Sequence, residues 1–264
     1  MLRDELKKHP GLKAVGVVHA ETSTGVLSEV KELVDVIHEA GALAIVDAVT
    51  SLGGHDMRMD EWGIDVCYSA PQKCLGAPPG LAPISLSQSA MDVVSKRSTK
   101  VQSFYFNLQD LEAYWNQTRR AYHHTSPINM TYALRESLRM MMEEGLDNRI
   151  HRHARVAAGL RAGAEALGLS LLAEEGHRLN PLTTFSIHEG IEEGKVRASL
   201  LNDYDIEIGG GLGEFAGKAW RIGLMGESAR ERNVFAVLSA LETILSKEVM
   251  KWLLELAYRQ PKEP

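Results

Sequence analysis

Two residues in the first half of the chain have the types and placement to do chemistry together. Asp47 closes the apolar run "ALAIV", and Lys73 lies just beyond "DVCYSA" in the stretch "DVCYSAPQKCLGAPPG" (65–80). Open parallel sheets bind ligands outside the carboxyl ends of their strands, so an amine and a carboxylate at two such ends project into one crevice. A lysine–aspartate pair there has two uses. One is a plain salt bridge, or a solvated lysine beside a buried, hydrogen-bonded aspartate. The other is pyridoxal phosphate chemistry, in which the amine condenses with the cofactor aldehyde and the carboxylate keeps the pyridine nitrogen protonated, so that the ring accepts electrons. Spacing alone leaves both open, because such pairs sit on several folds.

The elements that must position these residues are legible as periodicities. "KAVGVVHA" (13–20) reads as a buried strand. "LSEVKELVDVIHEAG" (27–41) puts Leu27, Val30, Leu33, Val34 and Ile37 on one helical stripe with Gly41 as its stop, and "ALAIVDAV" (42–49) is a second apolar run. This is one βαβ unit, which implies parallel strands. "GIDVCYSA" (63–70) and "LAPISLS" (81–87) add short strands, with Pro83 pointing to an edge or a bulge. The Gly- and Pro-rich stretch around Lys73 reads as too broken for a helix. Helical spacing follows over 107–120, 128–144 and 147–167. Beyond it come a strand at 182–187, a helix at 195–203, a strand at 218–224 and a helix over 228–257. The fold class is therefore α/β, with a mainly parallel sheet in a larger domain (1–146) and a smaller α+β domain (147–264).

Bulk composition excludes several partners. The 264 residues carry a net charge of −6, with 44% hydrophobic and 24% charged residues, so nothing favours nucleic acid or an anionic membrane surface. No apolar run reaches membrane-spanning length. Cys67 and Cys74 are the only cysteines, which argues for a reducing compartment and a cytoplasmic location. The histidines show no metal-binding spacing, since His151 and His153 lie on different helical faces, and no metal is expected. "GGGLG" (209–213) leads into a strand rather than a helix N-terminus, so it reads as a flexible turn and not a nucleotide loop. Cys67 reads as a core residue and Cys74 as a packed thiol.

The wording around the pair adds more. "HAETSTGV" (19–26), "VDAVTSLGG" (46–54), "YSAPQKCLGAPPGLAP" (68–83), "RAYHHTSPIN" (120–129) and "WRIGLMG" (220–226) occur in that order. Together they resemble the class V aminotransferases of the alanine–glyoxylate and serine–pyruvate type, pyridoxal-phosphate enzymes of fold type I. The resemblance implies a role for each matching position. Lys73 matches the Schiff-base lysine and Asp47 the partner of the pyridine nitrogen. Thr22 matches a hydroxyl on the ring's phenolic oxygen, Val49 the apolar residue on one ring face, and Gln72 a contact near the phosphate. Tyr122 and Thr125 match residues that reach the phosphate of the neighbouring subunit's cofactor, which implies a homodimer. Arg221 matches the clamp on the substrate carboxylate, a task suited to a planar guanidinium. Taken singly, each residue also has a plain reading: Tyr122 as packing, His123–His124 as a surface pair, Thr22 as a turn residue, and Arg221 as a partner of Glu207.

The resemblance implies transamination between a small amino acid (alanine or serine) and a 2-oxo acid (glyoxylate or pyruvate). Two departures qualify it. Family members carry a further N-terminal segment ahead of the position matching Met1, with a phosphate-gripping turn and a ring-stacking aromatic. The chain thus reads as a fragment of a longer product or a natural truncation, with a sheet edge left uncovered. The family's Gly–Ser before Gln–Lys is Ala70–Pro71 here, which removes a hydroxyl and a backbone N–H. The rival reading is a catalytically incompetent remnant that serves as a binding or scaffold protein. Cysteine desulfuration fits less well, since it wants a histidine before the lysine and a mobile cysteine, where this chain has Gln72 and no cysteine after Cys74.

Overall fold

The computed structural model describes residues 1–115, 121–188 and 190–258, with side chains as far as Lys247. In chain order the elements are α1 (Leu2–Lys8), β1 (Ala14–Val18), β2 (Ala20–Glu21), β3 (Val26–Leu27), α2 (Val30–Glu39), β4 (Leu43–Asp47), β5 (Val66–Tyr68), β6 (Ile84–Leu86), α3 (Gln88–Ser95), α4 (Leu108–Trp115) and α5 (Ile128–Glu144). They continue with α6 (Leu146–Ala166), β7 (Ser170–Leu171), β8 (Leu182–Ser186), α7 (Glu193–Tyr204), β9 (Gly209–Gly210), β10 (Ala219–Gly223) and α8 (Glu231–Tyr258). The helical expectation over 107–120 is met by α4, and its last five positions, 116–120, lie outside the described residues. Among the described residues no helix is long and apolar enough to cross a membrane.

The chain divides into two compact units. The first comprises Met1–His19, Glu29–Val49 and Met57–Met140, and the second Ala20–Ser28, Thr50–Asp56 and Met141–Pro264. In the first, the strand order is β1-β4-β5-β6. The β1–β4 and β4–β5 pairs are parallel, as the βαβ pattern predicts. β6 runs antiparallel to β5 at the sheet's end, where Pro83 leads into it without needing a ladder N–H. Helix α2 buries Val30, Val34 and Ile37 of the predicted stripe and half-buries Leu33, while Leu27, expected on the same helix, lies in strand β3 because the helix starts only at Val30. β4 alternates, burying Ala44 and Val46 while Leu43, Ile45 and Asp47 are half-buried. Asp65, 4% exposed, ties these elements together. Its Oδ2 accepts from the Ala44 N–H at 2.9 Å and meets His38 Nε2 at 2.8 Å, while its Oδ1 accepts from the Ser87 hydroxyl at 3.0 Å. Ser87 Oγ in turn accepts from the Ala90 N–H, capping α3.

The second unit holds an antiparallel sheet of order β7-β8-β10-β9, with the hairpin β2–β3 beside it in sequence grouping but not in the sheet. "GGGLG" is therefore more than a turn: Gly209 and Gly210 pair with Arg221 and Trp220, because a strand without side chains can lie close beside its neighbour. Trp220 and Phe185, both fully buried and directly opposed in β10 and β8, centre a core shared with Leu160, Leu200 and Leu241. A side chain at Gly163 would collide with Leu238, so glycine there permits the close approach of α6 and α8. At the head of α6 a charged cluster replaces apolar packing. Glu144 accepts from Arg149 Nη1 at 2.8 Å and from Arg152, whose Nη1 also donates to the carbonyls of Gly226 and Ala229. His153, with no exposed surface, meets the Arg149 carbonyl through Nδ1 at 2.8 Å and accepts from the Gly226 N–H through Nε2 at 3.0 Å.

Candidate active site

Asp47 ends β4 with its carboxylate held on both sides. Its Oδ1 accepts from the Val49 N–H at 2.8 Å, and its Oδ2 from the Tyr68 hydroxyl at 2.8 Å. Tyr68 lies directly beside Asp47 in the parallel register, so the two side chains share one face of the sheet. Burial, then the Asp47 carboxylate, raises the pKa of the Tyr68 phenol, which keeps it a donor. Burial and the same carboxylate raise the Cys67 thiol, which stays a packed neutral group, and Cys74 is buried as well. Sequence reasoning passed over Tyr68. The signal was present: counting outward from the ends of two parallel strands sets the last residue of β5 against the last of β4.

Lys73 sits at the centre of a kinked five-residue turn, Pro71–Leu75, that is not a continuous helix: helical geometry lapses at Lys73 itself (φ −100, ψ −130), in keeping with a Gly- and Pro-rich stretch. Pro71 opens the turn and Gly76 closes it at φ 77. The Gly76 N–H donates to the Lys73 carbonyl at 3.0 Å and the Ala77 N–H to Pro71 at 2.9 Å. From α5, the buried Ser137 hydroxyl donates to the Leu75 carbonyl. Among the described residues the half-buried Lys73 amine has no hydrogen bond or ion pair, so the plain salt bridge with Asp47 is not formed. Gln72 is exposed and Val49 half-buried.

Tyr122 and Thr125 form a separate exposed group, their hydroxyls 2.7 Å apart, with Tyr122 76% exposed. Between them His123 is no surface residue. It is 6% exposed, stacks on Phe104 with ring centroids 4.3 Å apart, and its Nε2 lies 3.1 Å from the Phe104 carbonyl.

In the second unit Arg221 extends from β10. Its Nε donates to the Gly210 carbonyl at 2.7 Å and its Nη1 to the Thr22 carbonyl at 3.1 Å. The expected alternative, an ion pair with Glu207, is absent among the described residues. Neutral carbonyls on two of its nitrogens aim the fork while leaving its charge uncompensated, which suits an incoming carboxylate. Thr22, on the β2–β3 hairpin, gives its carbonyl to Arg221, and its hydroxyl has no partner among the described residues.

These groups fit pyridoxal phosphate. The anchored carboxylate suits a ring N–H, the unpaired amine suits an aldehyde, and Val49 offers an apolar contact. No group of three or more His, Cys, Asp or Glu side chains among the described residues is arranged to hold a metal ion.

A mainly parallel α/β sheet that carries a lysine and an aspartate beyond its strand ends is the architecture of the fold type I pyridoxal-phosphate transferases. The chain belongs to the class-V aminotransferase family, whose model matches residues 2–216. It is 42% identical over 246 residues to an uncharacterized aminotransferase of Methanocaldococcus jannaschii, covering 93% of this chain and 63% of that one. It is 40% identical over 263 residues to the (S)-ureidoglycine–glyoxylate transaminase of Bacillus subtilis, covering 93% and 62%. The crystal structure of an alanine–glyoxylate aminotransferase from Nostoc sp. superposes with a TM-score of 0.88 at 44% identity, covering 92% of this chain and 64% of that one. The chain thus spans less than two thirds of the length of each of these relatives.

Proposed function

We propose that the chain serves pyridoxal-phosphate-dependent transamination between a small amino acid, alanine or serine, and a 2-oxo acid, glyoxylate or pyruvate. One observation carries the reading: an amine without an ion pair lies beyond β5, while the carboxylate at the end of neighbouring β4 is already oriented by two donors. The names of the relatives, which pair an amino donor with glyoxylate, support the substrate class.

When bound, pyridoxal phosphate supplies an electron-accepting ring that stabilises the charge left by removal of a Cα proton. Lys73 would hold the aldehyde carbon through its Nζ, and the same amine would serve as general base and acid for the Cα proton. Asp47 would hold the ring N–H and keep it protonated, with Tyr68 and Val49 fixing the carboxylate's plane. Thr22 would donate its hydroxyl to the phenolic oxygen, and Val49 would pack on the ring. Gln72 would contact the phosphate, as would Tyr122 and Thr125 of a second copy in a cytoplasmic homodimer. Arg221 would bind the substrate carboxylate.

The test is reconstitution. Mixing the purified protein with pyridoxal phosphate should give a new absorption band, and borohydride reduction should leave the cofactor's mass on the peptide that contains Lys73. A Lys73→Ala variant should show neither. No band at saturating cofactor in the unmodified protein would overturn the reading and leave a family member that acts by binding alone.

A further inference from the structure

The second unit contains a cavity of about 10 Å³, room for one water-sized sphere. Its wall includes Arg161 of α6, Arg178, Gly25 of the β2–β3 hairpin, and Thr183 and Thr184 of β8. Both guanidinium groups belong to half-buried residues, and neither has a carboxylate partner among the described residues. Arg161 donates from Nη1 to the Leu179 carbonyl at 3.0 Å and from Nη2 to Asn180 Oδ1 at 3.4 Å. Arg178 donates from Nε to the Ala173 carbonyl at 3.1 Å. All three acceptors are neutral. They hold the forks in place without cancelling charge, and each fork keeps unused N–H donors. Burial, then the nearby Arg178, lowers the pKa of Arg161, and Glu165 opposes this without forming an ion pair.

Thr184 adds a second deficit. It is 2% exposed, and its hydroxyl oxygen has no hydrogen-bond partner among the described residues. Thr184 Oγ1 lies beside Gly25, where an added Cβ would sit 3.3 Å from it. A buried hydroxyl without a partner is unfavourable, and so is a partly desolvated cation without a counter-charge. A water molecule answers the first and not the second. One small anion answers both, because it accepts from N–H and O–H donors and brings the missing negative charge. So small a cavity favours a monatomic anion over phosphate, sulfate or a carboxylate.

We propose that this cavity is a chloride site that braces the β2–β3 hairpin against α6 and β8. The hairpin backbone already joins this region, since the Leu179 N–H donates to the Gly25 carbonyl at 2.9 Å and the Leu27 N–H to His177 at 2.8 Å. The same hairpin presents the Thr22 carbonyl to Arg221. Occupancy of the cavity therefore supports the backbone on which Arg221 leans. This inference does not depend on the proposed activity.

Two measurements on the purified chain test it. In buffers of constant ionic strength, with chloride replacing gluconate, the melting temperature should rise saturably by about 2–4 °C. Arg161→Met should abolish the dependence and Thr184→Val should reduce it. Crystals grown in bromide should show an anomalous peak inside the cavity, a result that needs no variant and stands even if Arg161→Met fails to fold. A flat chloride response, a water in the cavity of bromide crystals, or bromide bound only elsewhere on the surface would each overturn the proposal.

Discussion

The Tyr68 hydroxyl donates to Asp47 Oδ2 at 2.8 Å across two parallel strands, and the Val49 N–H holds the other carboxylate oxygen at the same distance. The carboxylate therefore has a fixed plane before any ligand arrives. Preorganisation of this kind removes the ordering cost that a free aspartate would meet on binding.

Removing the phenol should loosen that hold. Tyr68→Phe should weaken cofactor binding by about threefold to tenfold, the effect of a hydrogen bond to a charged group reduced by solvent, because Tyr68 is 36% exposed. Equilibrium titration with pyridoxal phosphate measures this. A cofactor-free check is available as well. Asp47→Asn should bring the Tyr68 phenol back toward the ordinary tyrosine range, read from the ultraviolet absorbance of phenolate as pH rises.

Replacing the amine should be far more severe. Lys73→Ala should lower the rate of amino transfer by at least about 10²–10⁴-fold, the usual range for a positioned acid–base group. Its fold should be nearly unchanged, since the Lys73 side chain makes no hydrogen bond or ion pair among the described residues and the backbone bond from the Gly76 N–H to its carbonyl survives the substitution. Far-ultraviolet circular dichroism and a melting curve should match those of the unmodified protein.

Arg221→Lys keeps a positive charge and loses the planar fork. The Michaelis constant for the amino acid should rise by about ten- to hundredfold, with a smaller change in kcat, because binding of the carboxylate persists through the reaction. An equal fall in kcat with an unchanged Michaelis constant would assign Arg221 to a different role.

Stability should fall in acid through two groups near the head of α6. Burial lowers the pKa of His153 to about 4, below its ordinary value of 6.5. The unfolded chain therefore binds more protons between those values, and stability rises with pH through that window and levels off above it. The hydrogen bond from Arg152, then that from Arg149, holds Glu144 at about 2, against an ordinary 4.5. Its contribution is complete above the ordinary value and is lost as pH falls toward 2. Urea unfolding between pH 3 and 7 should show both losses. Glu144→Gln should destabilise by about 3–5 kcal/mol at neutral pH, since it leaves the buried Arg149 and Arg152 poorly compensated.

Legibility followed sequence distance. The α2 stripe, the β4 run and the β10 strand were readable because each is a local periodicity: Val30, Val34 and Ile37 recur at helical spacing and are buried together. The break at Pro71–Leu75 was readable as well, because Pro and Gly act locally and the backbone leaves helical geometry at Lys73. Tyr68 was missed because its partner lies 21 positions away, set only by strand register. The same holds for His123, which looked like half of a surface pair until Phe104 stacked on it.

By itself the sequence determined the alternation of strands and helices and the residue types available for an amine, a carboxylate and a guanidinium. Those follow from composition and local pattern, which the chain carries before it folds, while the family was legible only as a resemblance of ordered motifs. Tertiary structure alone decided which donors hold Asp47, that Arg221 leans on Thr22 rather than Glu207, and that Arg161, Arg178 and Thr184 share one cavity wall. The reason is that hydrogen bonds and desolvation act over a few ångströms in space, and only strand register and packing convert distant positions into neighbours.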